Sequence, residues 1–269
     1  MRPRTVTRVT DLEREYSPSS RVGGSSQPFV DDYIARSAAV ATTLGDRVQV
    51  LAGGTRLVSA GPGSPLLVFI HGGYWQALSA ADSLYLAPGA LAAGWSFAAI
   101  EYTLAPAAGL AIMVDECRAA LAALATHGPF TEVVLAGHSA GAHLAAVSAL
   151  VSPSPLPLDR LVLVSGVYDL RPLVHTTINE PLGLDEIAAA EISPALLPVA
   201  SSLPVLLTVG DNETEAFIAQ QRVYAARVRA GGCPAWDLVA AGRHHFDIVD
   251  ELVGPTGAIG AFTLGGIHP

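Results

Sequence analysis

The chain has only two cysteines in 269 residues, Cys117 and Cys233, too few for the disulfide framework of a small secreted fold, so both are expected as buried, inert thiols. Charge is scarce too: Asp, Glu, Lys and Arg make up 14% against 51% hydrophobic residues, which excludes a disordered chain and implies a large buried core. The net charge is −9 and no basic stripe is present, so neither nucleic acid nor an anionic membrane surface is an expected partner. The arginines at the start (Arg2, Arg4, Arg8) are interrupted by Asp11, Glu13 and Glu15, and this segment reads as a solvated terminus without a partner. It lacks the apolar core of a signal peptide, from which a cytoplasmic location is expected. The longest stretch without Asp, Glu, Lys or Arg, Val133–Leu158, is broken by Gly137, His138, Ser139 and Gly141 and closed by Pro153, Pro155 and Pro157. That content predicts strand, turn, helix and loop rather than a membrane span.

What is present is alternation. Val48–Leu51 and Arg56–Ser59, parted by Gly53-Gly54, predict a hairpin. Leu66–Ile70, Ser96–Glu101, Glu132–Ala136, Leu161–Ser165, Val205–Val209 and, more weakly, Trp236–Val239 are short apolar runs with the character of buried strands. Helical patterns lie between most of them: Val30–Leu44, Ala80–Ala93 with a break at Pro88-Gly89, Ala111–Ala125, Ala142–Val151, and a helix starting near Glu215. A short helix is expected around Asp11–Tyr16 and another helical run at Ile248–Leu252. The expected fold is α/β: a mostly parallel central sheet with helices on both faces and an antiparallel hairpin at one edge. No repeat and no linker divides the chain, so one domain is expected over residues 1–269, with residues 1–29 as an N-terminal arm. Residues 171–204 leave room for a small cap at most. Ligands of such sheets bind beyond the carboxyl ends of the strands, where every chemistry-bearing motif of this sequence falls.

Gly137-His138-Ser139-Ala140-Gly141 follows one strand and opens a helix, as a nucleophile elbow requires: the backbone must turn sharply to expose the hydroxyl, and small neighbours permit it. Alone the pattern is weak, since a helix-start serine is often an N-cap. It gains weight from His71-Gly72-Gly73-Tyr74-Trp75, a glycine loop after an earlier strand, where backbone N–H groups can face a developing oxyanion. The expected donors are Gly72, Gly73 and Ala140, and Tyr74 and Trp75 are candidates to wall a substrate pocket. The fold supplies the remaining groups in the order serine, acid, histidine. Gly210-Asp211-Asn212-Glu213 offers two carboxylates, Asp211 and Glu213, and Arg243-His244-His245-Phe246-Asp247 two imidazoles. His143 is expected in the core, His71 as a tie for its loop, and His127, His175 and His268 as solvated or packed. A metal reading of His244, His245 and Asp247 ranks far below the serine mechanism, because no H-E-x-x-H helix is present.

These segments together resemble the arylformamidase (kynurenine formamidase) branch of the α/β-hydrolase superfamily: HGGYW at His71–Trp75, GHSAG at Gly137–Gly141 and His-Phe-Asp-Ile-Val at His245–Val249. Leu12–Pro18, Tyr102–Pro106 and the stretch from Val209-Gly210 to Phe217–Gln221 are also similar, so most of the chain is covered. The resemblance implies an α/β-hydrolase fold with minimal or no cap and no cofactor. It implies His245, the histidine before the Phe, as the base, and Glu213, three residues after the loop glycine, as the acid; vertebrate members carry aspartate there. It further implies hydrolysis of N-formyl-kynurenine to kynurenine and formate. Bacterial esterases also carry HGGYW. The alternative is therefore a carboxylesterase for small esters, in a bacterial specialised-metabolite pathway, and a non-catalytic binding protein of the same fold ranks third. The expected partner is a small-molecule substrate; a homodimer is left open.

Overall fold

The computed structural model describes residues 9–266. Arg2, Arg4, Arg8 and His268 lie outside them. The strands are β1 (Val48–Val50), β2 (Arg56–Val58), β3 (Leu66–Ile70), β4 (Ser96–Ile100), β5 (Val133–His138), β6 (Arg160–Val164), β7 (Val205–Gly210) and β8 (Ala235–Ala240). The helices are α1 (Val9–Glu15), α2 (Gln27–Leu44), α3 (Ala87–Ala92), α4 (Leu110–Ala125), α5 (Ala140–Ala146), α6 (Glu186–Glu191), α7 (Glu215–Ala230) and α8 (Ala258–Gly265). All eight strands form one sheet in the order β1-β2-β4-β3-β5-β6-β7-β8. β2 runs antiparallel to β1 and β4, and every other pairing is parallel.

The central strands are buried on both faces, which is why they read as continuous apolar runs. Their side chains still alternate. Leu66, Val68 and Ile70 enter the core shared with α4, α5 and α7, whereas Leu67 and Phe69 enter the opposite core with Tyr33 of α2 and Phe262 of α8. At one edge of the sheet β8 is only half buried.

Several elements depart from expectation. The helix over 80–93 begins as a 3₁₀ turn (Ala81–Leu86), and α3 then carries Pro88 in its first turn, where a missing N–H costs nothing. The helix after the elbow starts two residues earlier than predicted and ends in a π turn over Val147–Val151. Residues 171–204 contain α6 and two 3₁₀ turns, Arg171–His175 and Thr177–Asn179, a low cap over one side of the sheet.

The N-terminal arm requires correction. From α1 to Pro18 it is docked rather than solvated: Tyr16 and Pro18 are buried, Glu13 accepts hydrogen bonds from the Thr177 N–H and hydroxyl, and Glu15 accepts from the Ala216 N–H. Two of the charges that suggested a wet terminus, Glu13 and Glu15, are instead acceptors for cap and α7 donors.

Candidate active site

β5 delivers Ser139 and α5 begins immediately after it. The serine backbone sits at φ 55°, ψ −119°, a positive-φ conformation costly for a side-chain-bearing residue. Its N–H donates to the Val164 carbonyl at 2.8 Å, which clamps the turn to β6. Gly141 makes the close approach possible, since a Cβ there would stand 2.0 Å from the Ile70 carbonyl oxygen.

β3 ends beside β5 and hands over the glycine loop. Gly72 lies against the nucleophile, its would-be Cβ 3.1 Å from that of Ser139. Gly73 has φ 98° and sits so close to Ala77 that a side chain would meet that carbonyl oxygen at 2.3 Å. Among the described residues, no acceptor takes the N–H of Gly73 or of Ala140. Behind the loop, His71 Nδ1 donates to the Gly72 carbonyl at 2.9 Å, and the Tyr102 hydroxyl donates to the His71 carbonyl at 3.0 Å. His71 thus ties the loop down, as expected.

Between the two carboxylates and two imidazoles of the sequence the geometry makes a choice. His245 Nδ1 meets Glu213 Oε2 at 2.7 Å, both side chains buried, at 4% and 3% exposure. The second oxygen, Glu213 Oε1, accepts from the Ser165 hydroxyl at 2.6 Å and the Gly210 N–H at 2.8 Å. Asp211 instead accepts from the Gly242 N–H at 2.9 Å on the surface. His244 Nδ1 accepts from the N–H groups of Phe246 and Asp247, and its ring sits edge-on to Phe29. Among the described residues, no group of three His, Cys, Asp or Glu side chains is arranged to hold a metal ion.

Ser139 and His245 line one cavity of about 320 Å³. With Nδ1 engaged by Glu213, the other imidazole nitrogen of His245 is the one left for the serine. Tyr74 lines the cavity, and its hydroxyl donates to the Tyr16 carbonyl, joining the loop to the N-terminal arm. Trp75 does not line it: the ring is fully buried, edge-on to His143 at 5.2 Å, which corrects its placement in the pocket wall. Its positive φ turns it away from its neighbour and into the core beside α5.

Sequence reasoning missed four participants. Ser165, at φ 50° on the end of β6, holds the Glu213 carboxylate, and its place at a strand's carboxyl end was the available signal. His138, inside the elbow itself, lines the cavity and donates from Nε2 to the His245 carbonyl at 2.8 Å. Burial, with the nearby His245 adding to it, lowers its pKa to about 3, so it is neutral. Glu13 and Tyr16 of the arm also line the cavity, which composition alone did not foretell.

A family model described as the alpha/beta hydrolase fold matches residues 67–246, so the chain belongs to the α/β-hydrolase fold family. Within it, the chain is similar to the kynurenine formamidase of Danio rerio, 31% identical over 90% of this chain and 91% of that protein. It is likewise similar to the kynurenine formamidase of Drosophila melanogaster, 32% identical over 70% and 68%. Among solved structures, a putative thioesterase from Silicibacter sp. TM1040 superposes with a TM-score of 0.82 at 29% identity, covering 93% of this chain and 98% of that one. An esterase from Pyrobaculum calidifontis shares the fold at a TM-score of 0.69 and 17% identity, covering 98% and 96%.

Proposed function

We propose that this protein is a serine hydrolase that removes a small acyl or formyl group from an aryl amide or ester, with formyl-kynurenine-type formamides as its main substrates. The observation that carries the reading is the buried pair His245–Glu213, held at 2.7 Å, whose imidazole lines the same cavity as the strained Ser139. In the proposed reaction His245 takes the Ser139 proton as the hydroxyl attacks the carbonyl, and Glu213 fixes the tautomer and stabilises the imidazolium. The N–H groups of Gly73 and Ala140, with the Gly72 backbone beside them, stabilise the tetrahedral oxyanion, each donor worth about 3–4 kcal/mol. The protonated His245 gives its proton to the leaving amine. Water activated by the same imidazole then releases formate or the short acid from Ser139. No cofactor takes part in this scheme.

The similarity to two kynurenine formamidases over most of the chain supports the formamide as substrate. A second reading, hydrolysis of small esters, is favoured by the likeness to the Silicibacter protein described as a putative thioesterase. Turnover of N-formyl-kynurenine compared with p-nitrophenyl acetate separates the two, and the formamide is expected to have the higher kcat/KM. Ser139→Ala should abolish both activities and labelling by a fluorophosphonate probe. A Ser139→Ala protein with full turnover would remove the mechanism.

A further inference from the structure

The cavity that holds Ser139 and His245 is charged asymmetrically. Glu13 supplies a carboxylate, and no arginine among the described residues lines the cavity. The sequence contains no lysine, so arginine and histidine are its only cationic side chains. His138 is neutral for the reason given above, and His245 is paired with Glu213.

Two other devices that bind anions are already committed, and what remains on the lining is neutral, the hydroxyls of Ser17, Ser19 and Ser26. α2 opens toward the cavity at Ser26, but its first-turn donors are spent: the Gln27 N–H donates to the Ser25 hydroxyl, Pro28 has none, and those of Phe29 and Val30 return to the Ser26 carbonyl. The Tyr33 and Tyr74 hydroxyls donate to the carbonyls of Phe246 and Tyr16. A carboxylate entering here would lose water and face Glu13 with neutral hydroxyls, and no arginine among the described residues, to receive it. An ammonium group would meet an acceptor already fixed in place, because the Thr177 N–H (2.5 Å) and hydroxyl (3.1 Å) hold one oxygen each. Two such bonds leave about half of a carboxylate's lone-pair sites free.

We infer, resting on the hydrolase reading above, that the cavity selects substrates whose leaving group carries a protonated amine, with Glu13 as its partner, and disfavours a carboxylate at the same end.

The test uses four 2-formamidophenyl ketones whose side chains end in an ammonium, an alkyl group, a carboxylate, or both charges as in N-formyl-kynurenine. The ammonium compound is expected to exceed the alkyl one in kcat/KM by about tenfold, the effect of one charge-assisted hydrogen bond. The carboxylate compound should fall below the alkyl one, and the zwitterion should not exceed the ammonium compound. Glu13→Gln should bring the ammonium-to-alkyl ratio close to one, whereas Thr177→Val, which keeps the charge, should retain it. Should Glu13→Gln not fold, raising salt on the wild-type protein must lower the same ratio. A wild-type ratio near one, a ratio unmoved by Glu13→Gln or salt, or a carboxylate compound turned over faster than its alkyl counterpart overturns the inference. If no formamide is cleaved but p-nitrophenyl acetate is, the formamide reading fails instead. The inference is then decided by the same comparison on aminoalkyl and alkyl phenyl esters.

Discussion

Glu213 is the residue whose surroundings say most about its task. Its two oxygens are divided between functions: one meets the imidazole, and the other is held by the Ser165 hydroxyl and the Gly210 N–H. A carboxylate so anchored cannot rotate away from His245, and aspartate would leave the same imidazole one methylene short. Glu213→Gln preserves shape but presents either a neutral oxygen or a donor to Nδ1, disfavouring the tautomer with its proton there. It should lower kcat by roughly 10³–10⁴ with little change in melting temperature, read from steady-state kinetics and thermal unfolding. Ser165→Ala removes one of the two anchors and leaves the Gly210 N–H, so its loss should be far smaller, about tenfold. Gly141 offers a test of the opposite kind. The added methyl of Gly141→Ala would overlap the backbone of β3, so a stability loss of about 3 kcal/mol or more is expected in urea unfolding.

At the scale of elements, the strands and elbow were legible because their signals are local. An apolar run of five residues followed by Gly-x-Ser-x-Gly has few ways to fold, and β3, β4, β6 and β7 fall within a residue or two of expectation. His245 and Glu213 needed the resemblance as well, since sequence alone offers His244 and Asp211 equally. The arm was illegible for a physical reason: its hydrophilic residues are satisfied by partners some 160 to 200 positions away, at Thr177 and Gln220, and no local pattern reveals such pairing. α8 escaped notice because it is apolar nearly throughout and short, so it shows no helical period. Tyr16 binds these pieces together. Its ring lies 6.2 Å from that of Phe217, its hydroxyl accepts from Gln220, and its carbonyl accepts from Tyr74. Tyr16→Ala should cost about 3 kcal/mol of stability. Because the arm walls the cavity without carrying the reacting groups, the same variant should raise KM by a larger factor than it lowers kcat.

For the molecule as a whole, two buried histidines on α5 and its approach set the response to acid. Burial lowers the pKa of His138 to about 3 and of His143 to about 4, against the ordinary 6.5. In His138 the neighbouring His245 adds to the effect, and in both a backbone carbonyl partly opposes it. Below pH 6.5 the unfolded chain takes up protons at these positions while the folded protein does not, so stability is fully present above 6.5 and is lost as pH falls. Each group contributes about 1.4 kcal/mol per pH unit while only its unfolded form is protonated. Together they give about 3 kcal/mol per unit between roughly pH 6 and 4. Urea unfolding measured at pH 6 and pH 5 should show a loss of that size, over and above what the carboxylates contribute. His143→Gln, which keeps a side-chain amide to reach the Ile192 carbonyl, should halve the histidine part of the slope. An unchanged slope would mean that His143 is protonated, and hydrated, in the folded protein.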